Sequence, residues 1–297
     1  MRFFFKFQQG FDFDGSHFED KGISPAGNVI DVPLHRHEMS VDVSRLEAEL
    51  EFSFRDDWDL WIRVPYEIKS RKSSIGLIDA ASDGEVQTML RNNENHHGTE
   101  TLEGVSDIKL LVARRWRDLF RKGSVLDLAI GTSLPTGRTE EDTITAGEEG
   151  REHEHFQFGI GTFNPLLELY YQESLSKKLI LGGFALGAFP LYENSKNYRG
   201  PTEVTWGVNS RYKLLDLLAA DGNFAFLYQG FAEFNDRRDP NTGLIATSFR
   251  FGLSLGPWNG MNVNFGVRFP LTQDLISSGE DTLEQGLSFS IGFMHSF

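Results

Sequence analysis

Apolar residues alternating with small or polar ones, over and over along the chain, restrict its fold more than any other feature. Near Leu244 to Leu255 one face carries Ile245, Thr247, Phe249, Phe251, Leu253 and Leu255, and the other carries Ala246, Ser248, Arg250, Gly252 and Ser254. The next run sets Met261, Val263, Phe265, Val267 and Phe269 against Asn262, Asn264, Gly266 and Arg268. A period of two places successive side chains on opposite faces of a strand, whereas a helix needs a period near 3.6, which is almost missing here. The composition agrees, with 30 Gly and 26 Phe against 10 Pro in 297 residues. No apolar run is long enough for a spanning helix.

About twelve alternating runs can be read, near 2–13, 37–55, 58–72, 104–117, 123–135, 155–173, 178–192, 201–216, 222–235, 243–256, 260–271 and 283–297. Tight turns alternate with connections that are mostly longer and polar, near 14–36, 73–103, 136–154, 193–200, 236–242 and 272–282. An even number of antiparallel strands with short turns at one end and long loops at the other is the pattern of a transmembrane barrel. A soluble sandwich alternates in the same way. Three features separate the two. The polar face is rich in Gly, Ser and Asn with charges of both signs, which suits a wet lumen. Trp58, Trp116 and Trp258 sit beside short turns, where an interfacial girdle belongs. The last run closes on Phe297, the kind of ending that the outer-membrane assembly machinery reads. Met1 to Phe7 is read as a first strand, with any export signal already removed.

The expectation is an all-β, antiparallel up-and-down transmembrane β-barrel of about twelve strands. Residues 1–297 form one domain in the bacterial outer membrane, in contact with its lipid and lipopolysaccharide. In hydrocarbon every backbone N–H and C=O needs a partner within the protein, so the sheet must close. A net charge of −14 argues against nucleic acid as a partner, and the lack of cysteine excludes disulfides and thiolate chemistry.

Three segments carry a family resemblance: Gly104-Val105-Ser106-Asp107-Ile108-Lys109-Leu110, then Leu134-Pro135-Thr136-Gly137, then Gly159-Ile160-Gly161-Thr162-Phe163-Asn164-Pro165-Leu166-Leu167. With Asp57 to Tyr66 before them, they resemble, in order, the outer-membrane transporter-like barrels grouped with the putative MetA pathway of phenol degradation. An uncharacterised Gly-rich outer-membrane barrel family is similar too. Ser106 stands where that pattern has Gly, and Asn164 where it has Asp. The resemblance implies a channel or transporter for small solutes, including hydrophobic or aromatic compounds, and supplies no catalytic residues.

The lumen-facing set expected from the alternation is Glu47, Glu49, Glu51, Arg63, Glu67, Lys69, Asp107, Lys109, Arg115, Asp127, Glu168, Arg211, Lys213, Glu233, Arg250 and Arg268. Trp61, Leu111, Tyr170, Leu227 and Phe231 point the same way and leave room for an aromatic path. Such residues set solute selectivity in a pore. Seven of the 8 histidines fall in or beside the three longest connections: His17, His35, His37, His96, His97, His153 and His155. The i, i+2 spacing of His35/His37 and His153/His155 puts both rings of each pair on one face of an extended chain. Neutral imidazole is a ligand for Zn, Cu or Ni. His35, His37, His96, His97, His153 and His155 are therefore the candidate metal ligands of a surface-binding barrel, provided the loops meet. Solvated loop histidines are the plainer reading. Catalysis is not expected, because His295 and Ser296, the adjacent His/Ser pair, point to opposite faces of a strand. The channel needs no cofactor.

Overall fold

The computed structural model describes residues 1–276 and 283–297. Its twelve staves are β1 (Arg2–Ile23), β2 (Val29–Arg55), β3 (Trp58–Leu77), β4 (Ile108–Arg117), β5 (Ser124–Leu134), β6 (Asn164–Ser174), β7 (Leu179–Ala188), β8 (Glu203–Leu215), β9 (Leu218–Gln229), β10 (Leu244–Trp258), β11 (Met261–Leu275) and β12 (Ser288–Ser296). Each pairs antiparallel with its chain neighbours. A seam between β1 and β12, from Arg2↔Ser296 to Gly10↔Ser288, closes the ring.

Alternation dictates which side of the wall each residue takes. Val112, Ile130, Val208, Phe249, Phe265 and Ile291 are exposed on the outer surface, as a wall facing acyl chains requires. Their neighbours in sequence turn inward and are small or charged. At the short-turn end Arg114 lies over both Trp58 and Trp116, at 5.4 and 4.9 Å from the ring centroids. The β10–β11 turn uses Asn259 and Gly260 at φ 50° and 82°, the left-handed pair that a two-residue hairpin favours.

One inward glycine is a steric necessity. A Cβ on Gly131 of β5 would lie 1.9 Å from the Leu110 carbonyl oxygen and 2.6 Å from the Leu111 Cα of β4. Backbone atoms in a ladder cannot give way, so Gly131→Val is expected to abolish barrel assembly. Loss of the fast-migrating folded band on an unheated gel would report it.

The long-loop end differs from expectation in several places. Most of 14–36 is not a loop: β1 and β2 continue as a hairpin that turns at Ser24 to Asn28. β2 alone has 27 residues, about 90 Å of chain at 3.3 Å per residue, where about 9–11 residues cross a bilayer. The first three strands therefore stand well clear of the membrane. Within 73–103, β3 runs on to Leu77, and helix α1 (Asp83–His97) follows behind a reciprocal cap between Ser82 and Glu85. The segment Glu100–Val105 then pairs with Tyr66 to Arg71 of β3, so the expected run 104–117 is broken at Ser106-Asp107. A short helix α2 (Thr143–Glu148) lies within 136–154.

Residues 155–163 are not strand but an inward-folded segment, and β6 starts only at Asn164. Glu233 is not on the barrel wall. It sits in a small sheet at the mouth, paired with Arg199. Of the expected loop 272–282, residues 272–275 belong to β11, and residues 277–282 lie outside the described residues.

Candidate functional site at the lumen and its mouth

The inward charges fall into two unlike sectors. On the β2–β6 side they pair densely. Arg63 Nε donates to Glu49 at 2.9 Å and its Nη1 to Glu168 at 2.5 Å, while the Tyr170 hydroxyl donates to the other Glu168 oxygen at 2.9 Å. Arg45 joins Glu47 and Glu67 at 2.8 and 2.6 Å, and Lys69 reaches Glu67 at 3.2 Å. Arg115 grips Asp127 with two nitrogens at 2.7 and 2.8 Å, and Arg2 pairs with Glu51. The Arg63–Glu168 bond links β3 to β6 across the inside of the wall. Beneath it Trp61, Leu111, Ala113, Ala129 and Leu166 form a packed cluster against Tyr170. Trp61 is 3% exposed and Leu111 1%, so these side chains fill this sector and do not line an aromatic path.

The sector around β8 to β11 is basic. A cavity of about 480 Å³ is bordered by Lys6, Gln172, Asn209, Arg211, Asp221 and Arg250. Arg211 pairs with Asp221 at 2.6 Å. Arg250 of β10 and Arg268 of β11 are register partners. Arg250 reaches only neutral groups, Asn264 and Ser290, at 3.2 and 3.3 Å. Arg268 has a buried Nε with no hydrogen-bond partner. Like charges directly opposite each other on a sheet repel, and among the described residues no carboxylate forms a salt bridge with either.

Above the lumen the three segments that carry the family resemblance meet at one carboxylate. Asp107 Oδ1 accepts the Gly137 N–H at 3.0 Å and Oδ2 accepts the Ile160 N–H at 2.9 Å. Thr136 supports the joint by donating to the Ser106 carbonyl and accepting from the Ile108 N–H. Only glycine fits at 159, where a Cβ would lie 2.3 Å from Asp107 Oδ1. Asn164, buried beside it, donates to Ser133 Oγ at 2.8 Å and accepts from Thr162 at 2.7 Å, a mixed role that a carboxylate does not provide. The clamp holds 155–160 inward. There Lys69 Nζ donates to the Gln157 carbonyl at 3.0 Å and sits 4.7 Å from the Phe158 ring centroid. A second cavity, of about 450 Å³, lies under this segment and is lined by Arg45, Glu67, Lys69, Lys109 and Phe158 among others. Asp107 was legible as an inward charge, but its clamping role was not. The recurrence of three Gly-bearing motifs was the signal for it.

At the mouth the seven histidines converge. The strand extensions present His17, His35 and His37. α1 ends on His96 and His97, anchored to the extensions by Asn93 on Ser73 Oγ (2.9 Å) and Arg91 on the Ile23 carbonyl (2.8 Å). The segment after α2 brings His153 and His155. Ring centroids lie 5.0 Å apart for His17/His37, 5.3 Å for His17/His97, 4.0 Å for His96/His97, and 4.7 and 4.9 Å from His96 to His153 and His155. His35 and His37 face each other through Nε2 atoms 3.2 Å apart. All six expected ligands are thus brought together, and His17 joins them.

Arg71 of β3 holds the assembly from one side. It donates to the Gly98 carbonyl at 2.8 Å, to Glu154 at 3.0 Å and to Glu100 at 2.5 Å. Burial, and then the neighbouring imidazoles, push the pKa values of His96 and His97 far below the ordinary range. Burial also lowers those of His153 and His155. These rings are held neutral. His295 stands apart on β12 against Phe297.

No protein-family model matches the chain, and no curated protein is significantly similar to it. Solved structures are similar in fold. An outer-membrane channel from Pseudomonas putida F1 superposes with a TM-score of 0.61 at 12% identity, covering 100% of this chain and 95% of that one. The NanC porin gives 0.46 at 11% identity over 97% and 100% of the two chains, and a Pseudomonas aeruginosa FadL homologue gives 0.45 at 13% over 100% and 90%. The narrower grouping with the MetA pathway finds no match. The chain has the fold of a bacterial outer-membrane β-barrel, and its apolar outer wall fits that location.

Proposed function

We propose that the protein is an outer-membrane channel that passes small, anionic polar solutes. The Arg250/Arg268 pair carries this reading. It places two cations side by side on the inner wall, neither in a salt bridge among the described residues, next to a cavity bordered by Lys6, Arg211 and Asp221. Fixed charge on a pore wall selects counter-ions, and a low-dielectric surround strengthens the effect. The chain as a whole carries −14, so the basic strip is a local feature and not a reflection of composition. The similar Pseudomonas putida structure is described as a channel, which supports passage in general. Hydrophobic or aromatic solutes are a weaker fit, because Trp61 and Leu111 are buried in the wall cluster. Lipid and lipopolysaccharide would surround the barrel, and the assembly machinery would insert it.

Single-channel recording of refolded protein in a planar bilayer tests the reading. Reproducible steps with chloride favoured over potassium are expected. Silence from protein shown to be folded would sink it, and so would a preference for potassium.

A further inference from the structure

We infer that the histidine cluster at the mouth is a binding site for a divalent transition-metal ion of the Zn, Cu and Ni group. Its core is His17, His37, His96 and His97, and His153 and His155 adjoin it through His96. One ring nitrogen from each of the four lies within 4.8 Å of the others, and the same holds for His96, His153 and His155. Nitrogens on a tetrahedral ion with bonds of about 2.0–2.1 Å are about 3.3 Å apart. A bound ion would draw the four nitrogens closer together than they stand here.

Several further observations point to an ion and not to ordinary packing. His37 Nδ1, His97 Nδ1, His153 Nε2 and His155 Nε2 are buried and have no hydrogen-bond partner. Buried polar atoms are normally satisfied, and a group of unsatisfied ones calls for an explanation. In His153 the other nitrogen, Nδ1, donates to the Arg151 carbonyl at 2.8 Å. That bond fixes the tautomer with a bare Nε2 lone pair turned into the cluster, the usual outer support of a ligating imidazole. His35 repeats the arrangement, with Nδ1 on the Pro33 carbonyl at 3.1 Å and Nε2 toward His37. The electrostatics also suit a dication. Arg71, a buried cation beside the cluster, is bound by two carboxylates, Glu100 and Glu154.

The donor set decides the class of ion. It is imidazole nitrogen without thiolate, and Glu100 and Glu154 are engaged by Arg71. Mg²⁺ and Ca²⁺ need oxygen ligands and are excluded, whereas Zn²⁺, Cu²⁺ and Ni²⁺ favour imidazole. A bound ion would tie α1 and the segment around His153 to the β1–β2 hairpin, and it would do so whether or not the lumen conducts.

The experiment uses the folded full-length barrel in detergent, stripped with a chelator and titrated with Zn²⁺ by calorimetry. Cu²⁺-loaded protein is examined by electron paramagnetic resonance. About one tightly held ion per chain is expected, with nitrogen hyperfine structure in the Cu²⁺ spectrum. His96→Ala removes the ring common to both groups and is expected to weaken binding about tenfold or more, while His295→Ala leaves it unchanged. If His96→Ala protein fails to fold, His97→Gln serves in its place. Folded wild-type protein that takes up no Zn²⁺, a folded His96→Ala or His97→Gln protein that binds as tightly as wild type, or equal loss in His295→Ala would each overturn the inference. Conductance is recorded separately, so failure here leaves the channel reading standing and the reverse also holds.

Discussion

Asp107→Ala is expected to raise single-channel conductance several-fold while the barrel still folds. Asp107 holds the inward segment through the Gly137 and Ile160 N–H groups. A hydrogen bond to a charged group contributes roughly 1.5–3 kcal/mol, so removing the carboxylate costs about 3–6 kcal/mol of clamping and leaves two donors to find water. A shift of about 5.5 kcal/mol carries a two-state equilibrium from about 1:99 to 99:1. The segment should then spend much of its time released from the cavity beneath it. The staves keep their ladders, so heat-modifiable gel migration should stay that of wild type. Asp107→Asn retains one acceptor and should give an intermediate conductance. Unchanged step size in both variants would show that 155–160 does not limit passage.

The second large effect concerns charge selectivity. Replacing both Arg250 and Arg268 by Glu should invert the chloride preference to a potassium preference. The substitution keeps two like charges in register, so the pair itself exchanges sign. Arg268→Glu alone places a carboxylate opposite Arg250 and should bring the permeability ratio close to one. Both effects should be larger at about 0.1 M salt, where the Debye length is about 10 Å, than at 1 M, where it is about 3 Å. Reversal potentials across a salt gradient report the outcome. A double variant that keeps the wild-type preference would remove the Arg250/Arg268 strip from the conduction path.

The barrel was legible in the sequence because a half-wetted strand repeats every two residues. Ile245 to Leu255 and Met261 to Phe269 show the outer and inner faces directly. The overhang of β1 to β3 was not, since alternation continues past the membrane with nothing to mark where lipid ends. A bulge at Asp12, with φ 52° and a register shift between Gly10 and Phe13, also interrupts the pattern. Helix α1 was missed because its apolar face is little more than Val86, Met89 and Leu90. Its Ser82/Glu85 cap was a readable start signal. In 155–163, the alternation of His155, Phe156, Gln157 and Phe158 imitates a strand, and the glycines at 159 and 161 end the resemblance. The histidine pairs were visible as i, i+2 spacings. Their convergence depends on contacts between three distant segments, which no local pattern encodes.

The seam has a consequence for how the barrel is made. Every other stave pairs with a neighbour joined to it by a hairpin or a loop, but Phe5 meets Phe293 and Phe7 meets Ile291 across nearly the whole length of the chain. Contacts of such wide sequence separation carry the greatest loop-closure entropy and form slowly. Until β12 arrives, β1 is a long open edge with a row of unpaired peptide groups, the kind of surface that recruits a foreign strand. Closure is therefore expected to come last in folding, and the nine residue pairs of the seam among the described residues are where the ring should part first when it is unzipped.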